Sequence, residues 1–304
     1  MSGIAIVLLV TSAFMHAFWN FISKKQSPSL SFFWITTISG ALIMSPFLWW
    51  QRGALPLLPL SVWGLILLTG MAQAVYFSGL AGAYRRGDMS LAYPLARALP
   101  VLAVAGINFL MGKGGEIGGI GLLGMILISI GCIILPLPQF RRLGWRDYAD
   151  EVYLLAVVAA IGTTAYTLID DAVLRQMRAI VDSSLGTTGV TLLFISLQTV
   201  STSLMLGLVA VGVEAERAQL RRLLADRKMV VTGLVTGVVI MGTYGLVLAS
   251  MAYVRNVSYV AAFRQLSIPI GAVLGLVWQG EARHRPKLVG IGVISIGLIL
   301  VGVG

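Results

Sequence analysis

Two arginines stand in apolar sequence where a cation is expensive. Arg97 follows Tyr93-Pro94-Leu95-Ala96, and Arg264 follows Val260-Ala261-Ala262-Phe263. A charged side chain at the centre of a membrane span costs about 2.5 to 3.5 kcal/mol on insertion scales, so its presence there calls for a partner. The planar guanidinium fork matches the oxygens of a carboxylate or phosphonate. The alternative is snorkelling, in which the side chain reaches back to the interface. Tyr93, one helical turn before Arg97, shares its face and is a second candidate ligand. His16, Trp19 and Asn20 cluster in the first apolar stretch. Imidazole titrates near neutrality, which makes His16 a candidate proton carrier. His16 and Asn20 could equally hydrogen-bond neighbouring helices, and Trp19 could belong to an interfacial belt. Asp170, beside Asp171, is the other candidate for proton coupling; capping an interface or pairing with an arginine is its alternative. The expected substrate-binding residues are therefore Arg97, Arg264, Tyr93, Asn20 and Trp19, with His16 and Asp170 as proton-coupling candidates.

Enzyme patterns are missing. The sequence contains no His-Glu-x-x-His, Gly-x-Ser-x-Gly or Walker pattern, so neither hydrolysis nor ATP-driven transport is expected. A single cysteine, Cys132, and two histidines give no intrachain disulfide and no Cys/His metal cluster. No cofactor and no metal are expected, and the chain is read as a non-enzyme.

The elements that must position these side chains follow from composition. The chain has 304 residues, 58% hydrophobic and 11% charged, against about 25% charged in a soluble domain. Apolar runs of about 20 residues recur, each long enough to cross a bilayer core of about 30 Å. They are apolar at successive positions, which excludes the period-2 alternation of a barrel. The spans are expected at 3–22, 30–50, 60–84, 89–111, 116–136, 151–174, 187–213, 229–254, 257–278 and 285–303. The fold class is all-α integral membrane, with about ten transmembrane helices in two inverted five-helix repeats. The repeats cover 1–136 and 151–304, with a linker at 137–150. The segment Glu214 to Lys228 reads either as an amphipathic surface helix or as a solvated loop. Gly233/Gly237 and Gly271/Gly275 have the spacing of close helix packing.

The repeats rest on short recurrences. Ile128-Ser129-Ile130-Gly131 returns as Ile294-Ser295-Ile296-Gly297, and Ala83-Tyr84, Ser90 and Arg97 as Ala252-Tyr253, Ser258 and Arg264. Five spans per half send the second copy into the membrane from the opposite side, a plan that suits alternating access. Arg97 and Arg264 would each lie about 10 to 12 Å beyond the start of their helices, approaching the midplane from opposite sides. Pro94 and Pro100 around the first, and Pro269 after the second, read either as helix breaks that free backbone groups or as simple kinks.

The net charge is +10, but the cations lie in short connections rather than on one folded face, so nucleic-acid binding is not expected. Of the 22 Lys and Arg, 15 lie in odd-numbered connections and 5 in even-numbered ones. The positive-inside rule then places both termini outside the cytoplasm.

His16-Ala17-Phe18-Trp19-Asn20, Tyr93-Pro94-Leu95-Ala96-Arg97, Tyr166-Thr167-Leu168-Ile169-Asp170 and Gly280-Glu281, in that order and span placement, resemble the drug/metabolite transporter superfamily, specifically its EamA-type members. The resemblance covers nearly the whole chain. It implies a multi-pass protein of the bacterial cytoplasmic membrane that carries out secondary transport, often export, of amino acids or other small metabolites. It also implies cytoplasmic termini, which the charge count opposes. The expected function is proton-coupled transport of a small anionic or zwitterionic metabolite by alternating access, with that metabolite and the lipid bilayer as partners. The alternative is a membrane receptor or assembly scaffold.

Overall fold

The computed structural model describes residues 1–23, 29–86, 89–137, 139, 151–278 and 284–304; for 19–23, 89–95 and 278 only the backbone is described. Among them the chain is helical throughout: α1 (Gly3–Ser23), α2 (Leu30–Trp50), α3 (Leu60–Arg86), α4 (Met89–Leu110), α5 (Gly119–Ile134), α6 (Glu151–Gly212), α7 (Glu214–Ala225), α8 (Arg227–Ser250), α9 (Val257–Phe263), α10 (Ser267–Trp278) and α11 (Arg285–Val303). Six stretches are long and apolar enough to cross a membrane: 30–50, 60–86, 151–212, 227–253, 257–277 and 285–303. Gly3–Phe18, Ala96–Leu110 and Gly119–Ile134 are shorter apolar helices. Most of the expected linker, and the Gly280-Glu281 motif, lie outside the described residues.

The long α6 is two helices joined at Gly186, where φ is +68° and ψ is 164°. That region of the map is essentially open to glycine alone. The chain folds back there. Gln198 reaches Asp170, 28 residues earlier, whereas a straight helix would hold them about 42 Å apart. The connection expected at 175–186 is therefore helical almost to its end, carrying Arg175 and Arg178 beyond the apolar stretch.

Small residues bring the helices together. A methyl group on Gly124 of α5 would sit 2.6 Å from the Gly297 carbonyl of α11, and one on Gly297 would sit 2.7 Å from the Gly124 carbonyl. The two Ile-Ser-Ile-Gly copies thus lie on helices that pack reciprocally against each other. Likewise a methyl on Gly79 of α3 would meet the Ala159 amide of α6 at 2.6 Å, and one on Gly162 would meet the Tyr76 amide at 2.6 Å. In lipid, such close approach supplies the dispersion contacts that hydrophobic exclusion cannot. Gly233 and Gly237 seat α8 on α2 against Ile35 and Thr36, as the spacing predicts. Gly271 has nothing within 4 Å of a would-be methyl, so the packing expected of the Gly271/Gly275 pair does not occur at its first glycine.

The segment after Gly212 is an amphipathic helix rather than a loop. In α7, Leu220 and Leu223 pack with the cluster around Phe32 and Phe33. Arg217, Arg221 and Arg222 are exposed. Glu216 is buried, at 4% exposure, because Ser31 of α2 and Arg85 at the end of α3 both bond to it. Both termini lie at the opposite end of the bundle: Ser2 Oγ donates to the Tyr253 carbonyl at 2.9 Å, and Tyr259 Oη donates to the Gly304 carbonyl at 3.2 Å.

Candidate functional site

The two arginines meet. Arg97, in α4, is 6% exposed. Its Nη2 donates to the main-chain carbonyl of Arg264 at 2.6 Å and to Ser267 Oγ at 3.1 Å, and its Nε donates to Gln265 Oε1 at 3.0 Å. The receiving segment is a break between α9 and α10, a 3-10 turn over Arg264–Leu266. Pro269, three residues on, has no N–H to offer the Gln265 carbonyl, which favours a break here. The helix break expected from proline is thus present near Arg264. It is absent near Arg97, since α4 runs unbroken through Pro94 and Pro100.

Arg97 Nη1 also lies 3.2 Å from His16 Nε2. A guanidinium only donates, so that imidazole nitrogen accepts, and His16 is neutral here with its proton on Nδ1. At least four of the five Arg97 donors are therefore engaged inside the protein.

Arg264 is held differently. Its Nη2 donates to Tyr166 Oη at 2.9 Å and its Nη1 to Thr167 Oγ1 at 3.4 Å. The guanidinium carbon lies 5.2 Å from the centre of the Tyr244 ring and 5.6 Å from that of Tyr166. These rings meet edge to face at 5.6 Å, and Tyr76 packs against Tyr166 at 5.7 Å. Their π faces stabilise a desolvated cation without neutralising it.

Asp170 is fully buried, at 0% exposure. It accepts from Thr69 Oγ1 and Tyr244 Oη, and from Gln198 Nε2 at 2.7 Å. All three donors are neutral, and among the described residues no ion pair reaches it. Asp171, by contrast, pairs with Arg175 at 2.8 Å. The two neighbouring carboxylates are thus distinct: one faces the helix interior and the other clips a surface arginine.

These groups surround a cavity of about 130 Å³. Arg97, Arg264, His16, Tyr166 and Tyr244 line it, with aromatic wall from Phe33, Tyr76 and Tyr84. Phe33 and Tyr84 lie within one turn of the start of α2 and the end of α3, so the cavity reaches toward the end of the bundle that carries α7. Toward the termini the space is filled by buried apolar side chains, among them Met177, Leu193 and Met251. Two lining residues carry polar atoms with no hydrogen-bond partner among the described residues, Gln73 Nε2 and Thr202 Oγ1. Buried polar groups are nearly always satisfied, so these two are candidates for bonding a ligand.

Of the residues expected from sequence, the structure brings Arg97, Arg264 and His16 into one cluster, with Asp170 one hydrogen bond behind Tyr244. The side chains of Trp19, Asn20 and Tyr93 lie outside the described residues. Sequence reasoning passed over Tyr244, Gln198, Gln73 and Thr202 as ligands. Each is a polar residue on an apolar helix, which was the available signal.

Residues 3–137 match the family described as the EamA-like transporter family. A solved structure titled only "Crystal structure of protein" aligns with 100% of this chain and 98% of its own, with a TM-score of 0.66 and 16% identity. That likeness shows a shared fold. No curated protein matches the chain. Six stretches long and apolar enough to cross a bilayer fit a multi-pass integral membrane protein.

Proposed function

We propose that the protein is a proton-coupled secondary transporter that exports a small anionic or zwitterionic metabolite, such as an amino acid, by alternating access. The observation that carries this reading is the cavity itself: a space between the helices with Arg264 at its wall, beside two polar groups unpaired among the described residues. Its volume is similar to that of cavities of about 150 Å³ that take benzene, which suits a molecule of amino-acid size. In this assignment Arg264 faces the metabolite carboxylate. Arg97, whose donors are already engaged, holds the broken α9–α10 segment in place. Gln73 and Thr202 hydrogen-bond the remaining polar atoms of the ligand, and Tyr93, Trp19 and Asn20 stay candidate ligands on the sequence alone.

Of the two proton-carrier candidates, geometry favours Asp170. Protonating His16 at Nε2 would remove its acceptor from Arg97 and place a third cation beside two arginines. Asp170 needs no counter-ion when neutral, and a lone buried carboxylate is costly when charged.

The architecture proposed is ten spans in two inverted repeats, 1–136 and 151–304. Three observations support it. The two limbs of α6 give two crossings, the Ile-Ser-Ile-Gly copies face each other, and α3 against α6 is mirrored by α1 against α8. The cavity lies toward the end rich in cations, where export would load its substrate if that end is cytoplasmic.

A thermal-shift screen of purified protein against amino acids, organic acids and phosphonates tests the reading. The expected result is a rise in Tm with carboxylate-bearing compounds that Arg264→Gln abolishes. Stabilisation only by organic cations, or equal shifts in the variant, would overturn the assignment.

A further inference from the structure

Tyr244 touches both halves of the proposed exchange. Its hydroxyl donates to Asp170 Oδ2, its ring lies 5.2 Å from the Arg264 guanidinium, and it lines the cavity. Its edge meets Tyr166, which in turn accepts from Arg264. No other side chain among the described residues bonds the carboxyl and also stacks on the guanidinium. Thr69 and Gln198 are the other two Asp170 donors.

Resting on the proton-coupling reading above, we propose that Tyr244 is the positioning residue that couples Asp170 to the cavity. The carboxylate accepts two hydrogen bonds at Oδ2, from Tyr244 and Gln198. A protonated Asp170 carries one hydrogen on an oxygen, so that oxygen becomes a donor and loses acceptor capacity. When the proton settles on Oδ2, the Tyr244 hydroxyl must turn away or reverse its role. Its ring is the surface on which Arg264 rests, so the change reaches the guanidinium. A metabolite carboxylate that draws Arg264 off the ring acts on the same phenol from the other side. The proton and the ligand thus compete through one side chain, which is what an exchanger needs: two ligands whose free energies are linked.

The groups facing Asp170 come from every element around it. They are Thr69 of α3, Gln198 of the returning limb of α6 and Tyr244 of α8, with Arg264 acting through space from the α9–α10 break. Arg97 bonds the Arg264 carbonyl and lies beside His16. Among the described residues, only Tyr244 joins the carboxyl to that cationic group by direct contact.

The test uses the full-length protein in proteoliposomes with a radiolabelled mixture of the common amino acids as probe. An imposed pH gradient should drive accumulation in the wild type. Tyr244→Phe keeps the ring and removes the hydroxyl. It should lose at least about tenfold in gradient-driven accumulation, a larger loss than it shows in counterflow. Asp170→Asn should match it, and Tyr166→Phe should weaken probe binding without uncoupling. Tyr244→Phe that still accumulates probe like the wild type would overturn the proposal. If Asp170→Asn also accumulates normally, the proton-coupling reading falls with it. If the wild type moves none of the mixture, the amino-acid reading fails, and a second measurement decides the coupling. Difference infrared spectroscopy of the protein alone would follow the Asp170 carboxylic C=O band against pH, identified by its loss in Asp170→Asn. Both Tyr244→Phe and Arg264→Gln should move the pH at which the band appears, while Tyr166→Phe should not. Superimposable titrations in the wild type and Tyr244→Phe would overturn the proposal.

Discussion

Arg97 Nη2 lies 2.6 Å from the main-chain oxygen of Arg264, 167 residues away. This one bond ties an unbroken helix to a broken one and brings two intramembrane cations together. The carbonyl it uses belongs to the residue whose own side chain faces the cavity, so the position of Arg264 depends on Arg97.

Replacing Arg97 should therefore cost stability as well as transport. Arg97→Lys keeps the charge, but one ammonium cannot span Gln265, the Arg264 carbonyl, Ser267 and His16 at once. Losing two or more charge-assisted bonds at about 1.5 to 3 kcal/mol each should lower Tm clearly in detergent. A Tm equal to that of the wild type would show that Arg97 does not clasp the break.

The α5–α11 contact makes a sharper structural prediction. Gly297→Ala puts a methyl 2.7 Å from the Gly124 carbonyl and 2.9 Å from the Ile128 amide. Neither is a flexible side chain that can swing away, so the helices must separate, at a cost of about 1 to 3 kcal/mol for overpacking. Gly292→Ala, on the same helix with nothing within 4 Å, is the control and should leave Tm unchanged. Thermal unfolding of the two variants side by side distinguishes them.

Much of this architecture was legible because the bilayer leaves few options. Lipid forces backbone bonds inside each segment, so the apolar runs gave helices whose described ends fall near the expected ones. Arg97 and Arg264 were legible for the same reason: charge in hydrocarbon demands explanation. Their division of labour was not, because it depends on which N–H points at which carbonyl across 167 residues. Tyr244 and Gln73 were passed over because neutral polar residues in a span are unexceptional until a partner, or the lack of one, can be seen. The course of α6 past residue 174 was also missed. Charged residues such as Arg175 and Arg178 read as loop, yet they have good helix propensity, and only Gly186 turns the chain.

Gln73 and Thr202 should affect function and stability in opposite directions. A buried donor without a partner carries a desolvation cost of about 1 to 3 kcal/mol. Gln73→Leu and Thr202→Val should hold or raise the Tm of the empty protein while weakening ligand-induced stabilisation. A fall in Tm with an unchanged ligand shift would mean that both groups serve the fold.

Both termini share one end of the bundle, opposite the exposed arginines of α7. The charge distribution then predicts termini outside the cytoplasm. A carboxy-terminal alkaline phosphatase fusion should be active and a fluorescent-protein fusion dark. The reverse pattern would reverse the orientation and with it the direction of loading.

The account rests centrally on the cavity being a transport site that Arg264 serves. Counterflow in proteoliposomes measures this without any imposed gradient. Vesicles preloaded with unlabelled amino acids should take up the radiolabelled mixture, and Arg264→Gln should reduce the initial rate at least about tenfold while remaining folded by size-exclusion chromatography. Equal rates in the wild type and Arg264→Gln would contradict the account, because the arginine would then be an anchor held by its tyrosines and not a ligand for the substrate.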